Sequence, residues 1–172
     1  MTPLNQAGMY FSNVEQLRQL SVSDSEVAQL VPAHQAGVSD DDCIELIRIA
    51  RTRRQPFADG QAVAGLLNAG VQEKSVLELD QLGQLGLWSG EAVALRLSGL
   101  SDQVLLAIAR RRAADQPVLS SAKVAALKNA GLSEAQILAD INSGIDDAQA
   151  DRIITERNYA AGGHSFVRQR RR

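Results

Sequence analysis

The chain has 172 residues, 45% of them hydrophobic and 22% charged, with a formal net charge of −2. That composition excludes a wholly disordered chain, and the length suffices to bury a core. Only 3% is aromatic, so the core must be built from Leu, Val, Ile and Ala, a mixture that favours helices over a β-sandwich. Removing the four tail arginines, Arg168, Arg170, Arg171 and Arg172, takes the rest of the chain to −6, an acidic body with a basic end. The single Cys43 excludes an internal disulfide. No run of about 18 apolar residues occurs, so no membrane-spanning segment is expected. The start, MTPLNQAGMYF, has neither the basic nor the apolar region of a secretory signal, so a cytoplasmic location is the default expectation.

The first element is an N-terminal extension over 1–12, whose Leu4, Met9, Tyr10 and Phe11 are apolar enough to require cover. Helices follow near 13–20, 24–36, 40–54, 60–69, 73–84, 90–98, 102–114, 121–130, 134–142 and 147–158. Their starts carry capping signals. Ser12-x-x-Glu15, Ser23-x-x-Glu26 and Ser133-x-x-Gln136 fit the capping box, and Ser39, Ser101, Ser120 and Asp146 are further caps. Asp40, Asp41 and Asp42 place negative charge on a helix N-terminus. Gly37, Gly70, Gly99, Gly131 and Gly144 each end an apolar-periodic stretch and precede Val, Leu or Ile, the pattern of a left-handed C-terminal cap. Pro32 is expected to bend or split its helix, while Pro56 and Pro117 fall in linkers. Apolar positions recur at three and four residues, as in Ile44, Ile47 and Ala50, and no segment alternates at period two.

Repetition fixes the architecture expected. Residues 63–70 read VAGLLNAG and 124–131 read VAALKNAG, a spacing of 61, and Gly37 lies 62 residues before Gly99. The fold class expected is therefore all-α: tandem short-helix repeats, about three units over 13–58, 59–119 and 120–160, stacked as a small solenoid-like domain. The middle unit is expected to carry an extra helix near Trp88, and Ala161-Gly162-Gly163 to open a flexible basic tail over 161–172.

The segment from Val38 to Leu79 resembles a helical segment of uncharacterised bacterial proteins. These carry a Ser-Asp-Asp … Ile-x-Leu … Pro-Phe … Ala-Val-x-x-Leu-x-x-Ala-Gly-Val pattern, often near membrane-anchored or envelope parts. Ser39, Asp40, Asp41, Ile44, Leu46, Pro56, Phe57, Ala62, Val63, Leu66, Ala69, Gly70 and Val71 meet it, and it recurs more weakly from Leu100 to Leu138. The resemblance covers under half the chain. It implies an interaction role and a lean toward the envelope, and it supplies no catalytic residues.

The chemistry-bearing residues are sparse. His34, His164 and Cys43 do not stand at zinc-ligand spacing. The stretch from Asp140 to Asp151 departs from a calcium loop at Ile145 and Asp151, and reads instead as a helix end followed by a cap. Cys43 sits on the inward side of its helix as core filler, and no nucleophile elbow, phosphate loop or dinucleotide fingerprint is present. Neither metal nor cofactor is expected, nor a small-molecule substrate.

Arginine is the exception. Arg51, Arg53 and Arg54 close one long helix, Arg110, Arg111 and Arg112 close another, and Arg157 closes a third. One reading is favourable pairing with helix C-termini. The other is a row of cationic patches, joined by Arg168, Arg170, Arg171 and Arg172, that would take nucleic acid or an anionic surface. Helix 102–114, with Gln103, comes nearest to a base-reading helix. By elimination, the expectation is a non-enzymatic scaffold or adaptor that binds a protein partner or itself, with nucleic-acid or anionic-surface binding as the alternative.

Overall fold

The structure is a computed structural model that describes residues 3–166, and the described residues form eleven α-helices and no strand. The all-α expectation is met. The chain divides into two compact units, Met1–Leu97 and Ser98–Arg172.

The N-terminal unit holds α1 (Pro3–Gln6), α2 (Phe11–Gln19), α3 (Asp24–Gln35), α4 (Asp40–Thr52), α5 (Gly60–Asn68), α6 (Glu73–Gln81) and α7 (Leu85–Leu97). Each helix packs on its second neighbour. α1, α3, α5 and α7 make one row, and α2, α4 and α6 make the other. Between the rows lies a core of Leu30, Ile44, Leu46, Ile47, Leu66, Leu79 and Trp88, all essentially inaccessible to solvent. The C-terminal unit holds α8 (Asp102–Ala113), α9 (Ser121–Asn129), α10 (Glu134–Ser143) and α11 (Asp147–Phe166). Here α8 packs on α10 and α9 on α11. Val104, Ile108, Val124, Leu127 and Ile137 are buried within it.

Helix ends follow one rule. Each of α1 to α10 closes on a residue of positive φ, at Gly8, Ser21, Gly37, Arg54, Gly70, Gly83, Gly99, Asp115, Gly131 and Gly144. After most of them the next N–H returns to a carbonyl five residues back, as in Val71 N to Leu66 O and Leu132 N to Leu127 O at 3.0 and 3.2 Å. This is the Schellman closure, and its following apolar residue is buried at Val38, Val71, Leu100 and Leu132. Gly70 and Gly131, at φ 87° and 86°, close the two NAG strings in the same way.

Helix starts follow a second rule, one that ties successive helices together. The N–H of the residue before α2, Tyr10, donates to Asp40, the first residue of α4, at 2.9 Å. Ser39 before α4 donates to Glu73, the first of α6. Ser101 before α8 donates to Glu134, the first of α10, at 3.0 Å. Ser120 before α9 donates to Asp147, the first of α11, at 2.9 Å. An acid at the first helical position thus satisfies an orphan N–H two helices earlier and lies in the positive end of its own helix dipole.

The 61-residue spacing turns out to be a four-helix period. The left-handed residues 37, 54, 70 and 83 reappear at 99, 115, 131 and 144, and the starts of α3, α5 and α6 reappear at α7, α9 and α10. The helix at Trp88 is therefore not an extra one. α7 starts at Leu85, earlier than expected, and stands where α3 stands one period before. It is the first unit that looked short, and α1 supplies its missing helix: Gly8 falls 62 residues before Gly70, and Leu4 and Met9 are buried. Tyr10 and Phe11 stay 76% and 69% exposed, contrary to their expected cover. α2 begins at Phe11, so Ser12 lies inside the helix and makes no capping box. Ser101 precedes α8 without a side-chain cap. α3 runs through Pro32 in its last turn without splitting. α11 continues past 158 to Phe166, through Gly162 and Gly163.

Candidate docking grooves and the arginine clusters

The first arginine cluster is largely internal chemistry. Arg51, on the last turn of α4, clasps Glu26 on α3 with two bonds of 2.5 and 2.9 Å, and reaches the carbonyls of Leu20 and Ser21 at the end of α2. Glu26 is buried, with 3% of its side chain exposed, and also accepts from the N–H groups of Ser23 and Phe57. The Arg51 guanidinium, reinforced by these donors, holds the Glu26 carboxyl down to about 2 against the desolvation that burial imposes. Arg53 reaches across to Asp80 on α6, whose side chain is wholly buried. Burial pushes Asp80 up to about 6, and Arg53 offsets only part of that. Asp80 Oδ2 and Arg53 Nε have no hydrogen-bond partner. Arg54 is exposed and holds the left-handed position after α4.

In the second cluster, Arg111 donates from Nε to Pro117 O at 2.9 Å and from Nη1 to Asn142 O at 3.1 Å, the latter at the carbonyl end of α10. Arg110 is exposed, and Arg112 is half-buried. Arg157 is exposed on α11. Arg168, Arg170, Arg171 and Arg172 lie outside the described residues. Pairing of cations with helix C-termini recurs elsewhere: Arg96 bonds the Gly70 carbonyl at 3.1 Å and Lys128 that of Gly99.

The remaining polar candidates also serve the helix starts. Cys43 is buried, and burial, with Asp40, Glu73 and Asp42 nearby, pushes its thiol up to about 12. His34 Nε2 lies 2.7 Å from Asp40 Oδ1. Burial pushes the Asp40 carboxyl up, but bonds from Asn13, Tyr10 N–H and His34 outweigh it and leave the group below its ordinary value. Asp42 is raised by burial and by the Glu73 carboxyl beside it. Asp146 and Gln149 cap each other reciprocally at 2.7 and 2.8 Å, and Gly144 closes α10, so the stretch from Asp140 is a helix end and a cap. Among the described residues no group of three or more His, Cys, Asp or Glu could hold a metal ion, and no helix is long and apolar enough to cross a membrane.

Two surface grooves stand at equivalent positions of the period. In the N-terminal unit a groove of about 330 Å³ lies at α4 and α6, lined by Glu45, Arg48, Ile49, Thr52, Arg53 and Gln81. In the C-terminal unit one of about 500 Å³ lies at α8 and α10, with Gln103, Leu106, Arg110, Arg111, Leu138 and Asn142 in its wall. Glu45 and Leu106 are 61 residues apart, as are Gln81 and Asn142. The charge balance of the two differs. In the first, Glu45 pairs with Arg48 at 3.5 Å and Asp80 holds Arg53. In the second, Leu106 replaces Glu45 and Ile141 replaces Asp80, and no acid lines the groove. Neither groove was evident from motifs, since Gln103, Leu138 and Asn142 belong to none. The signal was the loss of two acids at fixed register.

The class these features define is an all-α protein with a four-helix period. No protein-family model matches the chain, and neither a curated protein nor a solved structure matches it.

Proposed function

We propose that this protein is a non-enzymatic docking module, a helical-repeat scaffold that binds another protein through grooves between second-neighbour helices. The observation that carries this reading is the recurrence of one groove at the same register, with its lining altered between copies while the helix-end chemistry around it is kept. A tandem repeat of this kind presents similar concave surfaces in series, and changes in their lining set the partner. The polar groups that elsewhere would suggest catalysis are tied to helix ends: Glu26 by Arg51, Asp40 by His34 and Asn13, Asp146 by Gln149.

The same observation weighs against nucleic-acid or anionic-surface binding through the first cluster, because Arg51 and Arg53 already face Glu26 and Asp80. The test is capture of a protein partner by the full chain, reconstituted with that partner in purified form and compared with heparin retention. Binding to a purified protein that survives moderate salt supports docking. Steep loss of all binding with ionic strength, and its abolition when 168–172 are deleted, would transfer the function to the basic residues.

A further inference from the structure

We propose that the α8–α10 groove of the C-terminal unit is the recognition site for an extended acidic peptide segment of a partner protein. The proposal rests on the docking reading above and specifies its ligand. Three observations converge.

The first is charge. Relative to the α4–α6 groove one period earlier, Leu106 and Ile141 occupy the places of Glu45 and Asp80, while Arg110 stands at the place of Ile49. The earlier groove carries its own carboxylates beside its arginines. The later one has guanidinium groups in its wall and no carboxylate. A ligand bearing carboxylates supplies what the later copy has lost, and arginine suits carboxylate through paired, planar donors.

The second is preorganisation. Arg111 is held by the Pro117 and Asn142 carbonyls at 2.9 and 3.1 Å, so the cationic wall is positioned before a ligand arrives. Less side-chain freedom is then lost on binding.

The third is the remainder of the lining. Half-buried Leu106 and Leu138 offer apolar contact for an aliphatic side chain, and the exposed amides of Gln103 and Asn142 can donate to and accept from a peptide backbone. The groove contains no aromatic residue on which a base could stack, which favours a peptide over single-stranded nucleic acid.

The experiment uses the full chain and fluorescently labelled peptides read by polarisation: one alternating Glu with Leu, its counterpart with Gln for Glu, and an oligo-dT control. The Glu peptide is expected to bind, with amide shift changes confined to α8 and α10. Leu106→Glu restores the residue that the earlier copy carries, and is expected to weaken binding about tenfold or more, equivalent to about 1.4 kcal/mol. Arg110→Glu, on an exposed position, provides the same reading if Leu106→Glu disturbs folding as judged by circular dichroism. The proposal is overturned if the Gln peptide or oligo-dT binds as well as the Glu peptide, if neither peptide binds, or if the folded variants bind unchanged. Capture of a protein partner that survives Leu106→Glu would sink this site and leave the docking reading standing. Peptide binding lost in both variants, with no partner captured, would do the reverse.

Discussion

Individual residues carry the backbone geometry of this protein, and two of them are directly testable. Gly60 opens α5 where it crosses α3, and a Cβ built there would lie 1.8 Å from the Gln29 carbonyl oxygen. Because the obstacle is backbone, no rotamer change relieves it. Gly60→Ala is expected to destabilise by about 1–3 kcal/mol or more, read as a lowered urea midpoint at unchanged slope. Arg54 presents the opposite case. It occupies a left-handed conformation, φ 55°, that costs an L-residue roughly 1–2 kcal/mol. Arg54→Gly is expected to raise stability by about 0.5–1 kcal/mol, and a lower thermal midpoint would contradict the strain argument. The sequence announced the glycine corners plainly, since glycine followed by an apolar residue and a Ser cap has one economical reading. It did not announce Ser21, Arg54 or Asp115 as left-handed residues, because nothing in their side chains requires that conformation. They are placed there by the helices they join.

Between elements, ionic contacts decide how helix ends meet. Glu26 on α3 and Arg51 on α4 join two helices and the carbonyl end of a third. Glu26 sits at about 2 in the fold against 4.5 in the unfolded chain. A depressed carboxyl contributes stability that is whole above about 4.5 and disappears as pH falls toward about 2. With Arg51 36% exposed, solvent screening reduces that contribution to about 2 kcal/mol. Glu26→Gln should therefore lower stability at neutral pH and flatten the stability curve between pH 2 and 4.5, as measured by urea unfolding across that range. An unchanged acid limb would show that the pair contributes nothing. The N-terminal acids make a parallel case. Asp40 accepts from Tyr10 N–H and Asn13 at 2.9 and 2.8 Å, and Asp40→Ala should cost about 0.5–2 kcal/mol, with faster amide exchange at Tyr10. Ser23 and Ser133 behaved as local capping motifs. The acids at 40, 73, 134 and 147 looked like simple dipole partners, and their bonds to helices about thirty residues earlier were invisible because such contacts depend on how helices stack.

At the scale of the molecule, stacking on second neighbours keeps contacts near in sequence. Refolding after dilution from denaturant should accordingly fall in the microsecond-to-millisecond range of helical proteins. A dominant phase of seconds in stopped-flow fluorescence of Trp88 would mean that long-range pairing limits folding. The period of 61 residues, the all-helical class, the corners and the arginine positions were determined by the sequence alone, because each rests on local propensity, on apolar spacing of three and four, and on self-similarity along the chain. What tertiary structure decided was the meaning of those features. It showed that the period holds four helices, that α1 completes the first set, and that Arg51 and Arg53 are tied to Glu26 and Asp80 inside the N-terminal unit. It also placed Leu106 and Leu138 with Arg110 and Arg111 in one groove. The reason is physical: a helix can be read from residues four apart, whereas partners for a charge and walls for a groove come from segments thirty residues away, brought together only when apolar faces are buried.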